Sequence, residues 1–172
     1  MPSDIKEILD SITEHHPIPI RIGSNCESNI YYRIENLSAG DIELCAKQLA
    51  EQVLDVASPA VPDILLNLPG SYTGLAGELG KVMSELIFQP IEVVSLTKNN
   101  YLKAKEKLKG KNVILVNDVI TTARTCLAYH TQITMDEAHV LGWATLIDRT
   151  FGSGPVPVIS VIKGEEVILL QD

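Results

Sequence analysis

The densest concentration of reactive groups is Asn117-Asp118-Val119-Ile120-Thr121-Thr122-Ala123-Arg124-Thr125, directly after the apolar run Val113–Val116 (VILV). A strand there would deliver the Asp118 carboxylate and the Asn117 amide to its carboxyl end. The hydroxyl-rich residues that follow would open a helix. The hydroxyls of Thr121, Thr122 and Thr125, the first helical amides and the Arg124 guanidinium are groups that together enclose a phosphate. Asp118 suits sugar hydroxyls, or assistance to a metal. Taken alone, the same residues also describe a threonine-capped helix behind an ordinary strand.

A second segment follows another apolar run, Asp63–Leu68 (DILLNL): Pro69-Gly70-Ser71-Tyr72-Thr73-Gly74. A glycine-bearing turn that enters a helix points backbone N–H groups outward and can hold an anion; a tight turn without a ligand reads equally well. Gly74, Gly77 and Gly80 form neither a phosphate loop of the G-x-x-x-x-G-K type, since Leu75 stands where its first glycine belongs, nor a dinucleotide fingerprint, which opens G-x-G. Close helix-to-sheet packing is the expected use of Gly77 and Gly80. Arg149, beside Asp148 at a strand end, has the fork geometry that reads a carboxylate or a ring edge, or else forms a local ion pair. Tyr31 and Tyr32 could stack on a base, but strand alternation points at most one of them inward. Six of the ten lysines fall in Lys98–Lys111, either a solvated helix face or an anion funnel. His15-His16 lacks a third metal ligand at useful spacing, and His130 and His139 have no evident partner. Trp143 lies in an apolar run and is expected in the core.

The elements that must position these groups alternate. Helical spacing is expected over Ile5–His16, ended by Pro17, then over Asp41–Ala57, about Tyr72–Phe88 and Thr121–Thr134. Strands are expected at Ile30–Leu37, DILLNL, Ile91–Leu96, VILV, Ala138–Ile147, Val156–Ile162 and Glu166–Leu170. Continuous apolar strands alternating with helices predict an α/β fold, a mostly parallel central sheet flanked by helices. Such sheets bind ligands at the carboxyl ends of their strands, where both segments fall.

Length and composition narrow the class. The 172 residues suit one domain spanning 1–172. Hydrophobic residues at 45% and charged residues at 21% argue against disorder. A net charge of −8 argues against a general nucleic-acid or anionic-membrane binder. No apolar run approaches a membrane span, and Met1–Asp10 has no signal-peptide character. The scattered Cys26, Cys45 and Cys126 suit a reducing, cytoplasmic setting.

Val113–Thr125 resembles, without a gap, the signature of the type I phosphoribosyltransferases: an apolar strand, an acidic pair and a threonine- and glycine-rich loop. Ser24–Arg33 (SNCESNIYYR), Pro69–Leu75 (PGSYTGL) and Leu146–Gly152 (LIDRTFG) resemble the orotate branch in order and spacing. The resemblance implies a small N-terminal hood over the sheet. It implies 5-phosphoribosyl 1-diphosphate as ligand, with catalytic Asp118 and Asn117 on the ribose and Thr121, Thr122, Ala123, Arg124 and Thr125 on the 5′-phosphate. Ser71, Tyr72, Thr73 and Gly74 would take the diphosphate; Arg149, Tyr31 and Tyr32 would take the base, orotate before others. It further implies Mg²⁺ carried without direct protein ligands, pyrimidine nucleotide metabolism and a homodimer.

The chain departs from that pattern at identifiable places. Asn117 replaces the first acid. Ala123 and Arg124 stand where small residues, often glycine, are usual. The basic residues expected around 23–27 are absent, and the mobile loop is shortened to Lys98–Lys111. Two readings follow: an orotate-like transferase, or a non-catalytic relative that binds a phosphoribosyl ligand or nucleotide as a sensor or regulator.

Overall fold

A computed structural model describes residues 3–22, 26–71, 73–150, 152–164 and 168–169. The apolar runs at 64–67, 92–95, 112–120, 139–148 and 158–163 become β3 (Ile64–Asn67), β4 (Glu92–Ser95), β5 (Asn112–Ile120), β6 (His139–Asp148) and β7 (Val158–Lys163). They pair, all parallel, in the order β4-β3-β5-β6-β7. Burial explains the content of β5: Val113, Ile114, Leu115 and Val116 are all at most 1% exposed, as a strand covered on both faces requires.

The covering helices are α2 (Ala39–Ala57), α3 (Leu75–Ile87), α4 (Tyr101–Leu108) and α5 (Arg124–Met135). Ser38 starts α2 with a reciprocal capping box to Asp41, a device worth about 1 kcal/mol. Its buried stripe Ile42, Cys45, Ala46, Leu49, Ala50 and Val53 joins Ile114, Val116, Ala144 and Leu146 in one core. A second core, on the other side, packs Leu66, Leu68, Leu108, Leu115, Ile133 and Trp143 together. Gly80 is needed where α3 crosses the sheet, since a Cβ there would lie 2.7 Å from Val93 Cγ2; at Gly77 a Cβ would meet nothing. The packing role expected of both glycines therefore belongs to Gly80.

The N-terminal part forms a separate small sheet, β1-β2-β8, built from β1 (Thr13–Arg21), β2 (Cys26–Tyr32) and β8 (Ile168–Leu169), with antiparallel pairing. Here local pattern misleads. The helix expected over Ile5–His16 ends early, as α1 (Ser3–Ser11), and Thr13, Glu14 and His15 pair with Tyr32, Tyr31 and Ile30. The apolar positions Ile5, Leu9 and Ile12 are all buried, while pairing with β2 outcompetes another helical turn. Pro17 and Pro19 lie on this edge strand at a register irregularity, where a missing N–H does least harm. Residues 30–37, expected as a strand, split into the end of β2 and a 3₁₀ turn over Ile34–Asn36. Among the described residues no helix is long and apolar enough to cross a membrane.

Candidate functional site

The phosphate-type loop forms as a cradle at the carboxyl end of β5. Asn117, Val119, Ile120, Thr121, Thr122, Ala123, Thr125 and Cys126 line a concavity of about 120 Å³. The strand continues through Asn117 and Asp118 to Ile120, so the amide and the carboxylate sit within paired backbone rather than beyond it. Ala123 caps α5 with φ 65°, a left-handed conformation that turns the chain into the helix at the cradle's edge; the first amides of a helix have no partner within it. Cys126 lies 2% exposed at its wall; burial pushes its thiol up to about 12, opposed by a hydrogen bond with Asn117.

The turn after β3 reaches across to the same strand end. Ser71 Oγ donates to Asn117 Oδ1 at 2.8 Å, and that oxygen also accepts the Asp118 N–H at 3.0 Å. Thr73 donates to Asp118 twice, from its hydroxyl at 2.6 Å and its N–H at 3.3 Å. Asp118 is 2% exposed, and its carbonyl accepts from the buried Thr145 hydroxyl at 2.9 Å. Gly74 takes φ 77° at the entry to α3. The turn and the acid position are thus one hydrogen-bonded unit. Tyr72 lies outside the described residues.

Two larger cavities flank the unit. Pro69, Gly70, Lys98, Arg124, Thr125, Ala128 and Tyr129 line one of about 540 Å³, which places Lys98 and Arg124 on a common wall beside the cradle. Elsewhere in the lysine-rich segment, Lys107 pairs with Glu92 and Lys109 with Glu137, both at 3.0 Å, on exposed surface. The lysine segment is therefore divided: Lys98 faces the site, whereas Lys107 and Lys109 serve surface ion pairs. The second cavity, of about 480 Å³, is lined by Tyr31, Ile34, Glu35, Leu37, Gly70 and Thr73.

Tyr31 and Tyr32 divide as alternation requires. Tyr32 is 8% exposed with the Arg149 guanidinium 5.2 Å from its ring centre. Tyr31 faces the second cavity and has Arg33 over its ring at 4.9 Å. Arg149 is itself 4% exposed; it donates to Ile30 O at 3.1 Å and Ser28 Oγ at 2.6 Å, tying the main sheet to the hood. Asp148 does not pair with it. It accepts instead from Thr150 N–H, Thr150 Oγ1 and Gly152 N–H, closing the turn after β6.

Sequence reasoning missed three things here. Thr145 carried no motif signal, and Ser28 was only one residue of the Ser24–Arg33 stretch with no role of its own, yet Thr145 bonds the Asp118 carbonyl and Ser28 accepts from Arg149. His130, which lacked a sequence partner, accepts the Trp143 indole N–H on Nδ1 at 3.1 Å. At the start of β2, burial raises the Cys26 thiol, and the positive charges of Arg149, Arg21 and Arg124 oppose that rise. Residues 23–25 lie outside the described residues.

The arrangement matches solved structures. Orotate phosphoribosyltransferase from Mycobacterium tuberculosis superposes with TM-score 0.64 at 15% identity, covering 93% of this chain and 94% of that one. The chain has the type I phosphoribosyltransferase fold. Orotate phosphoribosyltransferase from Aeropyrum pernix gives TM-score 0.64 at 17% identity, covering 92% and 93% of the two chains. A hypothetical protein from Neisseria gonorrhoeae with bound ppGpp superposes with TM-score 0.55 at 21% identity, covering 75% of this chain and 82% of that one. No family model and no curated protein matches the sequence. On this fold, the cradle is the loop at the end of the third parallel strand in sheet order, and the small β1-β2-β8 sheet is the hood.

Proposed function

We propose that the protein binds a phosphoribosyl ligand and transfers the phosphoribosyl group from 5-phosphoribosyl 1-diphosphate to a nucleobase. The observation that carries this reading is the order of the site: the cradle, then Asn117 and Asp118, then Thr73, then the Tyr31 cavity. Phosphate, ribose and base follow one another in the same order. Transfer breaks the C1–diphosphate bond and forms a bond from C1 to a base nitrogen. Catalysis then rests on alignment and on charge stabilisation at the leaving group. Thr121, Thr122, Thr125 and the α5 amides would hold the 5′-phosphate, with Lys98 and Arg124 beside it. Asp118 would hold ribose hydroxyls, with Asn117 as a neutral partner; ribose must then share or displace the Ser71 and Thr73 hydrogen bonds.

When bound, Mg²⁺ would offset the charge of the leaving diphosphate. The resemblance implies that the ion is carried by the ligand's own oxygens rather than by direct protein ligands. Orotate is the base implied by the resemblance, and a homodimer and a cytoplasmic setting go with it. Diphosphate release from 5-phosphoribosyl 1-diphosphate with Mg²⁺, across orotate, uracil, adenine, guanine, hypoxanthine and xanthine, tests the proposal. Release that depends on one base supports transfer; silence with folded protein across the panel removes it.

A second reading is favoured by a specific observation. Ser71 and Thr73 already occupy the polar edge of Asn117 and Asp118, and Asn117 brings no charge. A non-catalytic nucleotide sensor needs the cradle but not an acidic pair, and the ppGpp-bound neighbour is of that ligand class. Binding of nucleotide without turnover in the same panel would establish it.

A further inference from the structure

The cavity beside Thr73 has a chemistry of its own. Tyr31, Ile34 and Leu37 give it apolar and aromatic walls, Gly70 and Thr73 close it towards Asp118, and Glu35 is its one charged lining group among the described residues. Its volume of about 480 Å³ admits a bicyclic base. Arg33 is close by, yet it is shared: it bonds to Glu14 and lies 3.3 Å from Glu35, and those two carboxylates leave the trio with a net negative charge.

Arg149 does not reach this cavity's lining. Tyr32, against which it packs, and Tyr31 lie on opposite faces of β2. Arg149 is also buried against Ser28 and Ile30. A base entering beside Tyr31 therefore meets the Glu35 carboxylate in the lining, with the Arg33 guanidinium engaged over the Tyr31 ring and by Glu14 and Glu35, so the net local charge is negative. A carboxylate is an acceptor with two oxygens. It rewards a ring that presents two adjacent N–H donors, and it repels a ring that carries its own carboxylate.

Resting on the phosphoribosyl-binding reading, we infer that the base taken is of the guanine type, with a ring N–H and an exocyclic amino group side by side on Glu35, and that orotate is disfavoured. Stacking on Tyr31 would hold the ring plane, and the cradle would hold the 5′-phosphate of the corresponding nucleotide.

Isothermal titration of the full chain with ribose 5-phosphate, guanosine 5′-monophosphate, uridine 5′-monophosphate and orotidine 5′-monophosphate tests this. These ligands share the phosphate and the ribose, so only the base differs. Guanosine monophosphate is expected to bind about tenfold tighter than orotidine monophosphate, the scale of one charge-assisted hydrogen bond at a partly solvated site. Glu35→Gln is expected to shrink that ratio several-fold and to leave ribose 5-phosphate unchanged. Equal or tighter binding of orotidine monophosphate, or a ratio unmoved in Glu35→Gln, overturns the inference while the phosphate reading stands. Failure of all four ligands, ribose 5-phosphate included, overturns both.

Discussion

Thr73 and Asp118, 45 residues apart in the chain, are joined twice, hydroxyl to Oδ1 at 2.6 Å and N–H to Oδ2 at 3.3 Å. The consequence is that the carboxylate at the end of β5 is built into the turn after β3, not left exposed at a strand tip. Removing the hydroxyl strips a donor from a buried charge. Thr73→Val is expected to destabilise the fold by about 1.5–3 kcal/mol in urea denaturation, with Thr73→Ser close to wild type. Equal midpoints for Val and wild type would show that the bond contributes nothing net.

Ala123 takes φ 65° at the start of α5. A left-handed alanine costs about 1–2 kcal/mol, and glycine there gives back part of that gain through its freer unfolded chain. Ala123→Gly should stabilise the protein by about 0.5–1 kcal/mol, and Ala123→Val should destabilise it, because branching at Cβ worsens the strain. Thermal melts of the pair read the sign directly.

The Trp143–His130 hydrogen bond needs an unprotonated Nδ1, and burial holds the His130 pKa below its ordinary 6.5. As pH falls through about 6.5 the unfolded chain takes up the proton first, so this contribution to stability is complete above that pH. It declines as acidity passes through the depressed folded value. Asp136, kept low by hydrogen bonds from Tyr101 and Gln132, titrates further down. Denaturation midpoints between pH 8 and 5 should fall less steeply in His130→Gln than in wild type; parallel slopes would count against the assignment.

Arg149 joins β6 to the hood through Ile30 O and Ser28 Oγ. Lysine cannot reproduce two directed bonds from one planar group. Arg149→Lys should cost about 2 kcal/mol and speed amide exchange in residues 26–32 more than in β5. Uniform exchange across both strands would mean that the hood is not held by this residue.

Lys98 and Arg124 share a wall beside the cradle in a protein of net charge −8. Arg124→Gln should weaken ribose 5-phosphate binding about threefold to tenfold at low salt, with a smaller difference at 0.5 M salt, since an exposed charge is screened. An unchanged affinity at low salt would show that Arg124 acts on no bound anion.

Some of this was legible in the residues themselves. The five parallel strands announce themselves as local apolar runs, and in β3, β5 and β6 the run is buried on both faces, a pattern that needs no knowledge of its partner. The cradle is legible for a similar reason: Asn117 to Thr125 are contiguous, so one strand-to-helix turn assembles them. The opposite facings of Tyr31 and Tyr32 follow from strand alternation alone. Sheet order decided the rest. β3 lies beside β5, and that adjacency alone brings Ser71 and Thr73 to Asn117 and Asp118. Packing of the hood on the main sheet turned Arg149 to Ser28, and pairing with β2 made a strand of His15 and His16, where side-chain spacing favoured a helix. Periodicity encodes how a segment meets a core; which polar groups meet across it depends on long-range pairings that no local window contains.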